Sequence, residues 1–149
     1  MTEKENNSTQ PIEEIKKPSV KLRRPVETTK ILDGFKEHQA RNAANPGLDY
    51  PVAYGAPVYA AHKGNVTTAD RKNDGSGGRI VVLTAGKVQT SYMHLSVVLV
   101  KEGDKVEAGQ LIGKAGGSGF NNDRHYGTHL HFSLRVDGDS VDPEPLISK

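Results

Sequence analysis

The sequence predicts an all-β domain: a single antiparallel sheet of barrel-sandwich type, with long loops that border a groove. Three observations predict it. From residue 30 onward the apolar runs are short and broken by glycine, hardly any segment carries a helical period, and the runs are rich in β-branched and aromatic residues. A chain of 149 residues has room for one such domain, which we place at residues 30–149.

The N-terminal segment has a different composition. It is rich in Glu, Lys, Pro, Ser and Thr, and its apolar side chains are too sparse to form a core. Residues 1–29 are therefore predicted to be a disordered or partner-docking arm. The arm lacks the apolar run of a signal peptide, so we expect no signal peptide. No run in the chain approaches the length of a membrane span, so we expect no membrane insertion.

Strands are predicted where β-branched and aromatic residues lie between turn residues. They cover residues 57–61, 64–68, 79–84, 88–94, 110–115 and 129–136. The polar, glycine-punctuated segment 101–110 is predicted to be a tight connection between two strands. No helix is required, although residues 95–100 could form a short turn. Two glycine-rich loops, 69–78 and 116–127, are expected to border the groove.

Charge and cysteine content narrow the possible functions. The formal net charge is +2 with 26% charged residues, a nearly balanced mixture that argues against a dedicated nucleic-acid binder. The chain has no cysteine, so disulfides and thiolate zinc sites are excluded, and any metal must take nitrogen and oxygen ligands. The six histidines are therefore the main candidates for site chemistry.

Two of these histidines share a predicted strand. Alternate residues of a strand lie on the same face, so the imidazoles of His129 and His131 point the same way. This geometry suits one histidine that holds a metal and another that serves the reaction. The His-x-His spacing also occurs on partly exposed strands that have no such role, so other motifs must decide whether these two histidines belong to a site. We interpret His62, in the segment 60–64, as a surface turn residue.

Several segments together carry a resemblance to a known family. They are residues 46–50 (PGLDY) with the following run 54–60 (YGAPVYA), residues 91–96 (SYMHLS), residues 100–113 (VKEGDKVEAGQLIG) and residues 127–132 (GTHLHF). In this order they resemble the lysostaphin-type zinc metallopeptidases, over a stretch from about residue 31 to the C terminus. The resemblance implies the fold of that family and an endopeptidase that cuts stem or cross-bridge peptides of bacterial peptidoglycan.

The resemblance also implies roles for individual residues. Asp49 matches the family's carboxylate zinc ligand and His131 its C-terminal histidine ligand, in a site for one Zn²⁺ per chain. His94 and His129 match the two histidines that assist catalysis without holding the metal. The residues expected to line the substrate groove are Tyr92, Asn121, His125 and Tyr126.

The first zinc ligand departs from the family pattern. Residues 45–49 read NPGLD where the family usually has His-x-Gly-x-Asp, so Asn45 stands in the place of a histidine. One hypothesis is that His38 supplies the nitrogen across the loop 39–45. Asn45 could instead coordinate through its amide oxygen, which is a poorer zinc donor, and His125 is a third alternative. The fourth alternative is that no metal binds.

Two rival functions fit some of the same residues. A domain without the metal would be a catalytically inactive lysostaphin-like structural or wall-binding module of a larger assembly. Residues 100–113 also resemble the strand-turn-strand of lipoyl and biotinyl carriers, with Lys87 as the nearest lysine that could be modified. The carrier interpretation leaves the His-x-His motif unexplained.

A wall hydrolase without an export signal needs another route to its substrate. We therefore expect a bacteriophage source. The protein would be either a virion component that docks to a tail protein through residues 1–29, or a lysis enzyme that stays in the host cytoplasm until it is released.

Overall fold

The computed structural model describes residues 20–148, and strands are its main regular element. In chain order the elements are helix α1 (Phe35–Ala40), strands β1 (Leu48–Tyr50), β2 (Pro57–Tyr59), β3 (Gly64–Asp70), β4 (Arg79–Ala85), β5 (Val88–Val98), β6 (Lys105–Val106), β7 (Leu111–Ala115), β8 (Leu130–Val136) and β9 (Asp139–Val141), and a short 3₁₀ helix (Glu144–Leu146). None of the helices in this part of the chain is long and apolar enough to cross a membrane.

The strands form one nine-stranded antiparallel sheet, which confirms the predicted all-β fold. Its main path runs β9–β8–β5–β4–β3–β6. Three strands lie off this path. Strand β1 pairs with β8, and strand β7 pairs with both β2 and β5. The 11 residues of β5 hold the two parts together, since its first half pairs with β8 and its second half with β7.

The two faces of the sheet differ in what they contact. One face packs into the core with side chains that are fully buried, among them Val81, Leu83, Tyr92, Phe132 and Leu134. The opposite face of the same strands lines an open groove with Ile80, Val82, Ser91, Met93 and His131. Because a strand turns alternate side chains to opposite faces, burial of the first set fixes the second set in the groove.

Each of the predicted strands is present with shifted ends, and three short strands, β1, β6 and β9, were not predicted. The expected turn at residues 95–100 is wrong, because β5 continues to Val98 and pairs there with β7. The chain also contains α1, a helix that the sequence did not require. Its 6 residues are too few to produce a recognisable helical period.

Residues 20–29 pack against the domain, although the sequence placed them in the arm. Leu22 and Val26 are 1% and 3% exposed and belong to the core. The backbone of Leu22 also bonds to the C-terminal segment, residues 146–148. Two apolar side chains are enough to hold this segment against the domain, because the rest of the domain supplies the core into which they pack. The composition of the segment alone does not reveal this. The rest of the predicted arm, residues 1–19, lies outside the described residues.

His62 is half-buried, so its interpretation as a surface turn residue is wrong. Its Nε2 lies 2.8 Å from the Thr90 hydroxyl, which in turn bonds to the hydroxyl of buried Tyr92. Burial lowers the pKa of His62, and a hydrogen bond to the Lys63 carbonyl only partly opposes this shift. His62 therefore closes the end of a buried hydrogen-bond chain in β5.

Replacing Gly47 with alanine is expected to destabilise the domain by about 1–3 kcal/mol, as overpacking does. A Cβ at this position would overlap the backbone oxygen of Phe132, so strand β8 itself would have to move. Gly75→Ala is the matched control, because nothing lies within 4 Å of a Cβ there. Urea unfolding of both variants measures the difference, and equal stabilities would contradict the close approach of the two strands.

Candidate metal centre

The site is built on two residues that face each other across neighbouring strands. Asp49 in β1 and His131 in β8 are register partners in the antiparallel pair. Directly opposed side chains in such a pair share a face and lie close together. The His131 Nδ1 is accordingly 2.8 Å from Asp49 Oδ1. Strand pairing therefore places the carboxylate and the imidazole that the sequence singled out at one point.

His38 joins these two residues from helix α1. This residue is 5% exposed, and its Nδ1 lies 2.8 Å from the carbonyl of Gly34 at the start of the helix. Its Nε2 then faces Asp49 Oδ2 at 3.3 Å. Potential ligand atoms of His38, Asp49 and His131 all lie within 4.8 Å of one another. The structure thus brings together the three residues of the His38 hypothesis.

Each of the three histidines around Asp49, which are His38, His129 and His131, turns one ring nitrogen to a backbone carbonyl and the other toward Asp49. The Nε2 of His131 lies 2.8 Å from the carbonyl of Asn45. The Nδ1 of His129 lies 2.6 Å from the carbonyl of Gly127, and its Nε2 is 3.7 Å from Asp49. A carbonyl can only accept, so the nitrogen that faces it carries the proton. The other nitrogen shares a proton with Asp49 when the ring is protonated, and offers a lone pair to a metal when the ring is neutral.

Three rings therefore direct a nitrogen toward one carboxylate, and this decides whether a cation fits. Burial would raise the pKa of Asp49, but the hydrogen bond with His131 and the nearby histidine charges hold it below its ordinary value. A carboxylate and the lone pair of a neutral imidazole are both acceptors, and a divalent cation between them satisfies both. Two imidazoles and one carboxylate, with an open fourth position, are a ligand set of catalytic zinc. The residues fit zinc.

Asn45 takes part in the site through its backbone. Its carbonyl accepts the Nε2–H of His131, as backbone partners of metal-binding histidines commonly do. Its side-chain amide nitrogen lies 3.7 Å from the sulfur of Met93. The loop that carries Asn45 thus orients His131, whereas His38 brings the third donor of the cluster.

The two predicted assisting histidines lie beside the cluster. The rings of His94 and His129 are 4.8 Å apart, centroid to centroid. His94 has a left-handed backbone with a φ of 65°, next to an irregularity in the pairing of β5 and β7. Such irregularities redirect a side chain, and here the ring turns to the Ser118 carbonyl, 3.0 Å from its Nδ1. Burial lowers the pKa of His94 to about 4, so it is neutral at neutral pH.

The buried His94 should make the metal-free protein sensitive to acid. Its pKa is about 4 when folded and about 6.5 when unfolded, so the unfolded chain binds more protons between these values. Stability is therefore lost as pH falls through this window, by about 3 kcal/mol from His94 alone. Urea unfolding in EDTA at pH 7 and pH 4 should show a smaller loss for His94→Gln than for the wild type. Equal losses of stability in the wild type and in His94→Gln would contradict the burial of a neutral His94 ring.

The cluster opens into a groove of about 940 Å³. The two glycine-rich loops do border it, through Ser76 and Gly77 on one side and Tyr126 on the other. Tyr126 also bonds through its hydroxyl to the Ser76 carbonyl at 2.8 Å, which ties the two loops together. Its ring lies 4.4 Å from that of His94.

The other three residues predicted for the groove lie elsewhere. Tyr92 is fully buried, and its hydroxyl accepts the backbone N–H of Ala61, because alternation turns it to the core face of β5. Asn121 and His125 lie on the 116–127 loop but do not line the groove. The His125 ring packs on Tyr126, so it is not part of the metal-ligand cluster.

Several residues of the groove were not predicted from the sequence. Met93 precedes His94, and its alternation with Tyr92 could have indicated that it faces away from the core. Arg135 lies four residues after His131 on the same strand face, and this period-2 spacing was available in the sequence. The carbonyls of Gly34 and Ser118 gave no signal, because backbone groups are the same in every residue.

The fold and the site together define a class of protein: an antiparallel β domain that carries a His–Asp–His cluster and two further histidines at an open groove, as in the lysostaphin-type metallopeptidases. The chain belongs to Peptidase family M23, whose family model matches residues 43–143. It is 39% identical over 101 residues to the peptidoglycan DD-endopeptidase ShyA of Vibrio cholerae, which is 68% of this chain and 22% of ShyA. The chain spans 22–25% of the length of the first curated relatives.

Solved structures agree with this assignment. The catalytic domain of lysostaphin from Staphylococcus simulans has a TM-score of 0.57 and 36% identity, covering 66% of this chain and 75% of that one. A zinc-containing peptidase from Vibrio cholerae has a TM-score of 0.66 and 31% identity, covering 84% and 39%. A chain of the SpoIIIAH–SpoIIQ complex has a TM-score of 0.66 and 27% identity, covering 83% and 98%.

Proposed function

We propose that this protein is a zinc-dependent metallo-endopeptidase that hydrolyses stem or cross-bridge peptides of bacterial peptidoglycan. The observation that carries the proposal is the convergence of His38, Asp49 and His131 next to His94 and His129 at an open groove. Membership of Peptidase family M23 and similarity to a peptidoglycan DD-endopeptidase support the reaction and the substrate class.

In this proposal His38, Asp49 and His131 hold one zinc ion per chain. When bound, zinc supplies a Lewis acid and lowers the pKa of water to about 7. The protein contributes fixed ligand orientation, because the carbonyls of Gly34 and Asn45 hold the proton-bearing nitrogens of the two histidines. Asp49 stays ionised, since its neighbours hold its pKa below the ordinary value.

The two remaining histidines handle protons and orient the reactants. His129 presents its Nε2 toward the cluster, 3.7 Å from Asp49 Oδ1, and we assign it the role of general base that takes the proton of the attacking water. His94 is neutral and buried, so its Nε2 can accept a hydrogen bond and orient that water. In the second half of the reaction, the proton on His129 passes to the leaving amine.

A catalytically inactive module is the second candidate. The similarity to a chain of the SpoIIIAH–SpoIIQ complex favours it, because that chain is part of a complex of two proteins. The cluster of His38, Asp49 and His131 favours the enzyme.

We also propose the bacterial cell wall as the place of action. A bacteriophage source, with residues 1–29 docked to a tail protein, stays a prediction that neighbouring genes would test.

Digestion of purified peptidoglycan tests the proposed reaction. The full chain, loaded with one equivalent of zinc, is incubated with sacculi, and the released fragments are identified by mass spectrometry. Cleavage of peptide bonds that stops with EDTA and returns with zinc is the expected result. His131→Ala serves as the inactive control, since it removes one donor of the cluster. Zinc-loaded protein that releases no fragment from any wall type would favour the inactive module.

A further inference from the structure

The groove continues along β8 beyond the metal cluster and contains a second charged residue. Arg135 lines it and shares a strand face with His131. Four residues of extended strand separate their Cα atoms, which is about 13 Å. Among the described residues that line the groove, Arg135 is the only lysine or arginine, and Asp49 is the only carboxylate. The groove thus carries a positive charge at a fixed distance from the cluster.

The guanidinium of Arg135 is held in place by the backbone. One amino group donates to the carbonyl of Gly138 at 3.1 Å, and the other donates to the carbonyl of Ala44 at 3.2 Å. These two bonds use two of the five N–H donors of an arginine. The next residue after Ala44 is Asn45, whose carbonyl holds His131. One loop therefore positions both the metal-site histidine and this cation.

The charge of Arg135 is not balanced within residues 20–148. Two other arginines differ in this respect, because Arg41 pairs with Asp33 and Arg79 pairs with Asp123. None of the ion pairs in this part of the chain includes Arg135. A fixed guanidinium with unused donors in an open groove is suited to binding a carboxylate through two parallel hydrogen bonds.

We propose that Arg135 binds a carboxylate of the substrate, so that the groove selects acidic peptides over neutral ones. This inference rests on the proposed function, since it names the substrate class of the same groove. A distance of about 13 Å corresponds to about four residues of an extended peptide. A glutamyl residue that is joined to the next residue through its side-chain carboxyl keeps a free α-carboxylate. Conversion of that carboxylate to an amide removes the charge with almost no change in size.

A pair of synthetic stem peptides that differ only in this carboxylate tests the proposal. Fluorescence anisotropy on the full chain gives the Kd of each labelled peptide, and mass spectrometry of the same samples reports whether it is cut. The wild type should bind the acid about 10- to 100-fold more tightly than the amide. Arg135→Gln should bring this ratio close to one. Arg23→Gln is the matched control, because Arg23 is an exposed arginine outside the groove, and it should keep the wild-type ratio.

The binding ratio and the cleavage result answer separate questions. A wild-type ratio near one, or a ratio that Arg135→Gln leaves unchanged, would overturn the role of Arg135, as would a failure of both peptides to bind. Selective binding of the acid without cleavage by the zinc-loaded protein would instead support the role of Arg135 and count against the endopeptidase.

Discussion

His38→Ala is expected to lose tight zinc binding and, with it, peptidoglycan hydrolysis. The ring is one of three donors in the cluster, and its Nε2 faces Asp49 at 3.3 Å. Loss of a partner outside the ligand set already weakens metal binding by 10- to 100-fold, so the loss of a ligand should cost at least about 100-fold. Elemental analysis of protein purified without added metal, followed by zinc titration against a chromogenic chelator, measures the change.

Asn45→Ala is the matched variant for this test. It removes the amide next to Met93 but keeps the backbone carbonyl that accepts from His131. We expect it to retain one zinc per chain. If Asn45→Ala lost its zinc and His38→Ala kept it, Asn45 and not His38 would be the third zinc ligand. Thermal unfolding of both variants is recorded alongside, because the His38 ring is buried and its removal also leaves a cavity.

His129→Ala is expected to retain zinc and to lose peptidase activity by about 10²- to 10⁴-fold, the usual contribution of a general base. Its Nδ1 is held by the Gly127 carbonyl, and its Nε2 is directed toward the cluster without belonging to it. The measurement is the rate of peptide release from sacculi at saturating zinc, together with the zinc content of the same sample.

His125→Ala provides the comparison for His129→Ala. His125 lies on the 116–127 loop and packs on Tyr126, outside the metal-ligand cluster. We expect this variant to keep both its zinc and most of its activity. If His129→Ala loses its metal, the assignments of ligand and general base have been exchanged. If it keeps full activity, another group takes the proton, and His94 is the nearest candidate.

Most of the fold could be predicted because strands have a local signature. Segments such as 79–84 and 129–136 alternate or concentrate β-branched and aromatic residues between turns, and β4 and β8 occupy them. The elements that were missed are short. Strand β6 has 2 residues and β1 has 3, and neither length is enough for alternation to be recognised. The position of residues 20–29 was missed because their burial depends on a core contributed by distant segments.

Part of the geometry of the candidate site could also be predicted, for a similar reason. His129 and His131 were expected on one strand face, and both rings approach Asp49. Tyr92 was expected in the groove, and it lies two residues before His94 in the same motif. Alternation turns Tyr92 into the core, however, and the left-handed backbone at His94 lets its ring reach the site. A motif identifies which residues lie near a site, but not which face each one occupies.

The sequence by itself determined the β class, the residue types available to a metal and the shared face of His129 and His131. These follow from composition and from the two-residue period of a strand, which are local properties. Only the tertiary structure decided that His38 reaches Asp49, that burial lowers the pKa of His94 and that Arg135 lies in the groove. Each of these depends on segments far apart in the chain, because packing against a common sheet sets both distance and desolvation.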